Sequence, residues 1–281
     1  MSKLGVALVH GMGNQGPDFA DAAIEEIRSR IRDFGKNPSD VSWKSVHWGG
    51  ILAGRENELW RRLSADHDLD HVRIRRDIVI SGLGDAIVYQ GPAFGHSTVY
   101  RPIHEKIAVS LTELRNSLDK KDKAPLVFIA HSLGGVIVSN YIWDAQRGFQ
   151  PPTSATTSFS KAETLSGLIT FGCNIPLFTL SRPLPQNKTI KFPGVKSRYC
   201  FPGTNKTARS RVLKWNNYFD ADDILGYPLK PINSAYDKVV NKDIQIQTGT
   251  ILGAHTGYWT DNDFTRPVAK QLVDLLELLG V

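Results

Sequence analysis

Leu126-Val-Phe-Ile-Ala-His-Ser-Leu-Gly-Gly135 runs an apolar strand straight into a serine flanked by small residues. A short, unbroken apolar run of this kind suits a strand buried on both faces, as in a parallel sheet covered by helices. Val136 to Ala145 then reads as a helix, so Ser132 stands on a sharp strand-to-helix turn. Such a turn lifts a serine hydroxyl clear of the sheet and requires small residues two before and two after it. Ala130 and Gly134 occupy those places, alanine standing where glycine is usual. Gly135 lets the helix lie close to the strand. A serine hydroxyl is a weak nucleophile unless a base takes its proton and donors meet the developing oxyanion. The rest of the chain is therefore read for those partners.

Outward from this turn, strands and helices alternate. Lys3 to Val9 reads as a buried strand, Asp18 to Phe34 as a helix with apolar Phe19, Ala22, Ala23, Ile27 and Ile31, and Val41 to Trp48 as a second strand. A polar helix around Glu56 to Leu63, a charged turn at Asp66, Asp68 and Asp70, and a helix near Val72 to Tyr89 follow, ended by Gly91, Pro92 and Gly95. His104 to Leu118 is an amphipathic helix. Past the serine, Leu165 to Phe171, Val212 to Phe219 and Ile244 to Ile251 read as strands, and Asp263 to Leu279 as the closing helix. The expected fold is α/β, with a mainly parallel sheet and helices on both faces. One domain over residues 1–281 is expected, with lid-like insertions at about 49–102 and 174–211.

Composition narrows the setting. At 281 residues, with 41% hydrophobic and 22% charged residues, the chain is ordinary for a globular protein with a sizeable core. Two cysteines, Cys173 and Cys200, and a first strand that begins near Leu4 leave no disulfide framework and no cleavable signal, so a cytoplasmic setting is expected. No apolar run approaches the roughly 20 residues that span a bilayer. The net charge of +6 is unevenly spread. Arg182, Lys188, Lys191, Lys196, Arg198, Lys206, Arg209, Arg211 and Lys214 lie between Thr164 and Phe219 without one Asp or Glu, while the remainder of the chain carries more acids than bases. This proline-broken segment, too irregular for a regular element, suits an anionic substrate, peripheral contact with an anionic membrane surface or nucleic acid, or is simply a solvated loop; nucleic acid is not the expected partner.

Acyl transfer needs a base, an acid to orient it and oxyanion donors, and each has a candidate in a loop after a strand. His255 lies in Gly253-Ala-His-Thr-Gly-Tyr-Trp259, before the last helix. Asp223 lies in Asp220-Ala-Asp-Asp-Ile-Leu-Gly-Tyr-Pro228, with Asp220 and Asp222 as rivals for the same role. The first strand ends in Val9-His-Gly-Met-Gly13, whose glycines would let the Met12 amide face the oxyanion beside that of Leu133. His10 is read as shaping this loop, and His131 as packing against neighbouring loops instead of acting as base. His96-Ser97 is read as loop. The cysteines lack metal-ligand spacing, so no metal and no cofactor are expected.

The His-Gly-Met-Gly loop, Ala-His-Ser-Leu-Gly-Gly, the Asp223 loop and the His255-to-Trp259 segment together resemble the α/β-hydrolase superfamily, specifically its lipases and esterases. The resemblance spans residues 4–279 and implies the triad order Ser132, Asp223, His255. Because the chain starts at the oxyanion strand, the family's first two strands are expected to be missing. Asp85-Ala-Ile-Val-Tyr89, with Phe219 four residues before Asp223, is similar to intracellular phospholipase A1 enzymes of the DDHD type. The lid-like insertions, with the basic segment in the second, point to a lipid or other anionic ester.

Three other readings stand beside the serine hydrolase. The fold could serve a non-catalytic binding or interaction protein, and the same triad could transfer an acyl group to an alcohol or thiol instead of water. Gly11-Met-Gly-Asn-Gln-Gly16 also matches the G-x-G-x-x-G dinucleotide fingerprint. A nicotinamide site would want an acid at the end of the second strand, which instead reads His47-Trp48-Gly-Gly50.

Overall fold

The computed structural model describes residues 1–13, 15–65, 84–89, 99–148, 152–181, 183–250 and 253–281. Among the described residues six strands form one parallel sheet: β1 (Leu4–Val9), β2 (Val41–Val46), β3 (Leu126–His131), β4 (Leu165–Phe171), β5 (Trp215–Asp220) and β6 (Lys242–Ile246). Their order is β2-β1-β3-β4-β5-β6. The helices are α1 (Asp21–Asp33), α2 (Gly50–Ser64), α3 (Gly84–Val88), α4 (Tyr100–Asn116), α5 (Leu133–Arg147), α6 (Ile175–Thr179), α7 (Lys206–Val212), α8 (Ser234–Val239), α9 (Ala254–Gly257) and α10 (Asn262–Leu278). The mainly parallel sheet and the elbow at Ser132 are as the sequence implies.

Strand alternation divides the core into two layers. Leu4, Val6 and Leu8 of β1, with Val127 and Ile129 of β3, pack against Ile27 and Ile31 of α1 and against Val268, Leu272 and Leu276 of α10. Ala7, Val9, Leu126, Phe128 and Ala130 face the other way, onto Ile103, Ile107 and Leu111 of α4 and Ile137 and Tyr141 of α5. Both faces are covered, so these strands read as apolar throughout. The chain runs from β1 to β2 on one side and returns to β3 on the other. That makes the gap between the C-terminal ends of β1 and β3 a topological switch point, where open α/β sheets place their sites. The Ser132 turn and the His10–Gly13 loop leave the sheet on either side of it.

Several boundaries differ from expectation. α2 begins at Gly50, well before Glu56, and β5 begins at Trp215 because Lys206–Val212 is a helix. Its cap is Asn205, whose Oδ1 accepts the Ala208 N–H at 2.8 Å. The basic segment is thus not wholly irregular, since α6 and α7 lie in it. β6 ends at Ile246, short of Ile251. The expected turn at Asp66 to Asp70, the break at Gly91 to Gly95 and His96-Ser97 lie outside the described residues, as does most of the helix near Val72, of which α3 and Tyr89 are described. Among the described residues no helix is long and apolar enough to cross a membrane.

Part of the basic segment lies away from Ser132, and Arg182 lies outside the described residues. Lys191 N donates to Gln146 Oε1 at 2.8 Å, near the end of α5, and Gly194 N donates to Leu165 O at 2.9 Å, at the start of β4. Both contacts mark the end of the sheet opposite Ser132. Lys196 pairs there with Glu163 at 2.7 Å, and α7 follows before the chain enters β5. The segment must descend in this way because β4 and β5 are parallel.

Close approach of α5 to β1 depends on Gly134, where a Cβ would fall 2.6 Å from both the Val9 and His10 carbonyl oxygens. Both neighbours are backbone and have little room to yield. Gly134→Ala should therefore lower the urea-unfolding free energy by about 1–3 kcal/mol. Gly54→Ala in α2, where a Cβ meets nothing within 4 Å, should instead raise it by up to about 1 kcal/mol. Equal effects of the two would refute this packing argument.

Candidate active site

Ser132 closes β3 and opens α5 with φ 52° and ψ −126°, a backbone region L-residues rarely occupy. Strain of this kind costs about 1–3 kcal/mol and persists only where surroundings enforce it. They do so here. Ser132 N donates to Phe171 O at 3.0 Å, and Ser132 O accepts from Gly135 N at 3.0 Å. The bend leaves the side chain off the sheet and at the positive end of α5.

His255 comes from α9, across the sheet ends. Its Nε2 lies 2.9 Å from Ser132 Oγ, and its Nδ1 lies 2.9 and 3.0 Å from Asp223 Oδ1 and Oδ2. A carboxylate only accepts, so Nδ1 carries the proton and Nε2 is left to accept from the serine hydroxyl. Asp223 Oδ1 also accepts the Leu225 N–H at 2.9 Å, and Oδ2 the Tyr258 hydroxyl at 2.9 Å. Burial works to raise the Asp223 carboxyl, but the hydrogen bond and charge of His255, with Leu225 and Tyr258, outweigh it and hold the pKa below the usual aspartate value. Asp223 is ionised at neutral pH. Gly226 makes room for it, since a Cβ there would fall 2.4 Å from Oδ2.

The rival acids are engaged elsewhere or exposed. Asp220, the last residue of β5, accepts from Thr248 Oγ1 at 2.9 Å and from Asp222 N at 2.9 Å. Asp222 is exposed. Of the three, the structure brings Asp223 to His255.

Two supporting groups were not assigned from sequence. Tyr258, three residues after His255, donates to Asp223 and accepts from Asp220 N at 2.8 Å, so it ties β5 to the acid. His131 packs its ring against His255, Phe171 and Trp259, with centroids 4.7, 4.9 and 5.5 Å away. Its Nε2 donates to His255 O at 2.7 Å, which fixes the backbone that carries the base. Burial, then the neighbouring His255, pushes the His131 ring down to about 3, so it stays neutral. The expectation that His131 packs is met, and its packing serves His255. No spacing rule foretells either contact, because both cross between elements remote in sequence.

The loop after β1 completes the arrangement. His10 Nε2 accepts from Trp48 N and Gly49 N at 3.1 and 3.2 Å, and its Nδ1 donates to Gly11 O at 2.8 Å. Its ring stacks on Trp48 at 4.8 Å, and burial drives its pKa down to about 4. The histidine thus shapes the loop as a neutral strut. Gly11 lies flat against Ser132, where a Cβ would fall 2.6 Å from the serine Cβ. Among the described residues the Met12 and Leu133 amides have no hydrogen-bond partner. Leu133 follows Ser132 in the chain, and Gly11, which precedes Met12, lies against the serine.

This loop does not suit a dinucleotide. Gly11 is filled by Ser132, His10 and Trp48 stack where the ribose acid would stand, and α1 opens only at Asp21, five residues past Gly16. Among the described residues no three His, Cys, Asp or Glu side chains converge as metal ligands would.

The chain has a parallel α/β fold covered on both faces, with a nucleophile elbow such as α/β-hydrolases carry. No protein-family model matches the sequence, and no curated protein does. Among solved structures it is similar to a dienelactone hydrolase from Anabaena variabilis, at 10% identity and TM-score 0.40 over 98% of this chain and 85% of the other. It is also similar to a type II thioesterase from the yersiniabactin biosynthetic pathway, at 12% identity and TM-score 0.40 over 99% and 95%. A third is a hormone-sensitive lipase from a metagenome library, at 11% identity and TM-score 0.42 over 99% and 77%. At such scores these likenesses carry no weight for the site.

The buried histidines His10, His104 and His131 stay neutral when folded but bind protons below about 6.5 when unfolded. Their folded pKa values are depressed, so the unfolded chain gains protons first as pH falls and stability is lost from about pH 6.5 downward. The urea-unfolding free energy should drop between pH 7 and pH 5, each histidine contributing at most ~1.4 kcal/mol per pH unit. His10→Asn should flatten the profile, and an unchanged slope would contradict the neutral-strut account.

Proposed function

We propose that this protein is a serine hydrolase acting on a carboxylic ester. The observation that carries the reading is the continuous hydrogen-bonded line from Ser132 Oγ through His255 to Asp223. Ser132 Oγ attacks the acyl carbonyl as His255 Nε2 takes its proton. Asp223 holds the tautomer and stabilises the imidazolium. The amides of Met12 and Leu133 receive the oxyanion, each worth on the order of 3 kcal/mol in the transition state. Collapse of the tetrahedral intermediate breaks the ester C–O bond, and the alcohol leaves with the proton from His255. Water, deprotonated by His255, then attacks the acyl-enzyme, and the acid departs as Ser132 regains its proton. No redox partner or metal is required for any of these steps.

The neutral form of the base is poised for this, since its Nδ1 proton is committed to an ionised carboxylate. A binding protein would have no use for a strained serine aligned on such a pair, and this favours an enzyme. The charge argument for an anionic or lipid ester is weakened, because Lys191 and Lys196 are held at the far end of the sheet.

Ser132→Ala should lower turnover of a p-nitrophenyl ester by about 10⁴-fold or more and abolish labelling by a fluorophosphonate, with an unchanged circular dichroism spectrum. Asp223→Asn should lower kcat by about 10⁴-fold, while Asp220→Asn stays within about tenfold of wild type. Wild-type rates in Ser132→Ala would refute the proposal. The ratio of kcat/KM for an anionic over a neutral ester should stay within about threefold between low and high salt, because the far charges do not steer substrate. A steep fall with salt would restore the steering argument.

A further inference from the structure

The stretch Asp85-Ala-Ile-Val-Tyr89 takes no part in the chemistry above, yet it is fastened at both ends. At one end, Tyr89 N donates to Asp85 O at 2.9 Å, and the buried Tyr89 hydroxyl hydrogen-bonds His104 Nε2 at 2.8 Å. Tyr89 also stacks on Tyr100 with centroids 5.1 Å apart, and Tyr100 donates to Asp144 of α5 at 2.8 Å. This end is therefore anchored to α4 and α5. At the other end, Asp85 is 2% exposed and its Oδ2 accepts the Gly13 N–H at 3.0 Å. Gly13 follows Met12 and has φ +94°, a conformation few other residues would adopt.

We infer that Asp85 is a positioning residue, which aims the Met12 amide at the oxyanion by holding Gly13, and that it does so as one half of a carboxyl pair with Glu56. The inference rests on the reading of Ser132 as nucleophile and Met12 as oxyanion donor. A loop of sequence Gly-Met-Gly has soft backbone dihedrals on both sides of Met12, so an untied amide would sample many directions. Oxyanion stabilisation depends on donors fixed before charge develops. The Asp85 contact supplies that fixation from an element anchored in the core.

The pair explains how a carboxyl is kept there. Asp85 Oδ1 makes no hydrogen bond among the described residues, and the Glu56 carboxyl of α2 bears on the Asp85 side chain. Glu56 is the charged group that bears on Asp85 among the described residues, with Arg55 next to it on the same helix. His10 and His47, on the loops after β1 and β2, are engaged with Trp48, Gly49 and Gln15. Burial, then the hydrogen bond and charge of Glu56, pushes the Asp85 carboxyl up to about 8. At neutral pH it keeps its proton and accepts Gly13 through its carbonyl oxygen. Ionisation would leave a buried negative charge beside the Glu56 side chain and weaken the seat of the loop.

The test uses the full-length protein with Asp85→Ala, Asp85→Asn and Glu56→Gln, reading kcat and KM for a p-nitrophenyl ester, fluorophosphonate labelling rate and Tm from pH 6 to 9.5. Asp85→Ala should lower kcat and labelling rate by about 10- to 100-fold with KM within about threefold. Asp85→Asn keeps an acceptor for Gly13, so kcat near pH 7 should stay within about threefold of wild type. The wild-type loss of kcat with a midpoint near pH 8 should disappear in Asp85→Asn and shift in Glu56→Gln. Because the folded pKa lies above the unfolded one, the Asp85 contribution to stability is lost as pH rises toward about 8, so wild-type Tm should fall above about pH 6.5, where the histidines no longer titrate, and Asp85→Asn should remove that fall. If Asp85→Ala does not fold, the pH profiles of the other two decide. An alkaline limb unchanged in both, or folded Asp85→Ala with wild-type kcat, overturns the inference. If wild type is labelled at Ser132 and Asp85→Ala labels as fast, this inference alone falls; if wild type is not labelled at all, it falls together with the nucleophile reading.

Discussion

The backbone of Ser132 is the constraint on which the site depends. A residue with a side chain is held at φ 52° because β3 ends against Phe171 while α5 must start at once against β1. The small residues around it are consequences of that bend. Gly134 admits two β1 carbonyls and Gly135 admits the Cys173 sulfur, so helix and sheet close around the serine without a gap. Strain stored in one residue is thereby distributed into packing on both faces of the sheet.

From that bend, direction follows by hydrogen-bond chemistry. An ionised Asp223, surrounded by Leu225, Tyr258 and His255, can only accept, and this leaves one ring nitrogen of His255 facing the serine. His131, held neutral by burial, grips the His255 backbone from below. The site is therefore built from two layers. One touches the reacting atoms, and the other consists of Tyr258, His131, His10 and Asp85, whose hydrogen bonds set the angles of the first. All four are buried groups with strongly shifted pKa values, which couples the site's geometry to proton binding.

Much of this was legible in the sequence, and what was not has physical reasons. The apolar run before Ser132, the His-Gly loop after β1 and the order of acid and base all reflect local patterns. The choice among Asp220, Asp222 and Asp223 was not readable, since it turns on β5 ending at Asp220 and on the space that Gly226 leaves beside Asp223. Nor was α7, whose Lys-Thr-Ala-Arg-Ser-Arg-Val has no apolar stripe, although Asn205 marks its start. Counting charge found the basic segment but could not place it. Its position follows from topology, because the connection between parallel strands β4 and β5 must return to the opposite end of the sheet. The roles of Tyr258, His131 and Asp85 depend on contacts between remote segments, which periodicity does not encode.

The central claim is that Ser132 Oγ becomes covalently acylated and is freed by water. Rapid-quench mass spectrometry of the protein mixed with an activated ester tests this directly. The account predicts an adduct of the acyl mass on the peptide containing Ser132, which appears in the first turnover and decays as free acid forms. Continued turnover with no adduct on that peptide, or with the acyl group on another residue, would contradict it.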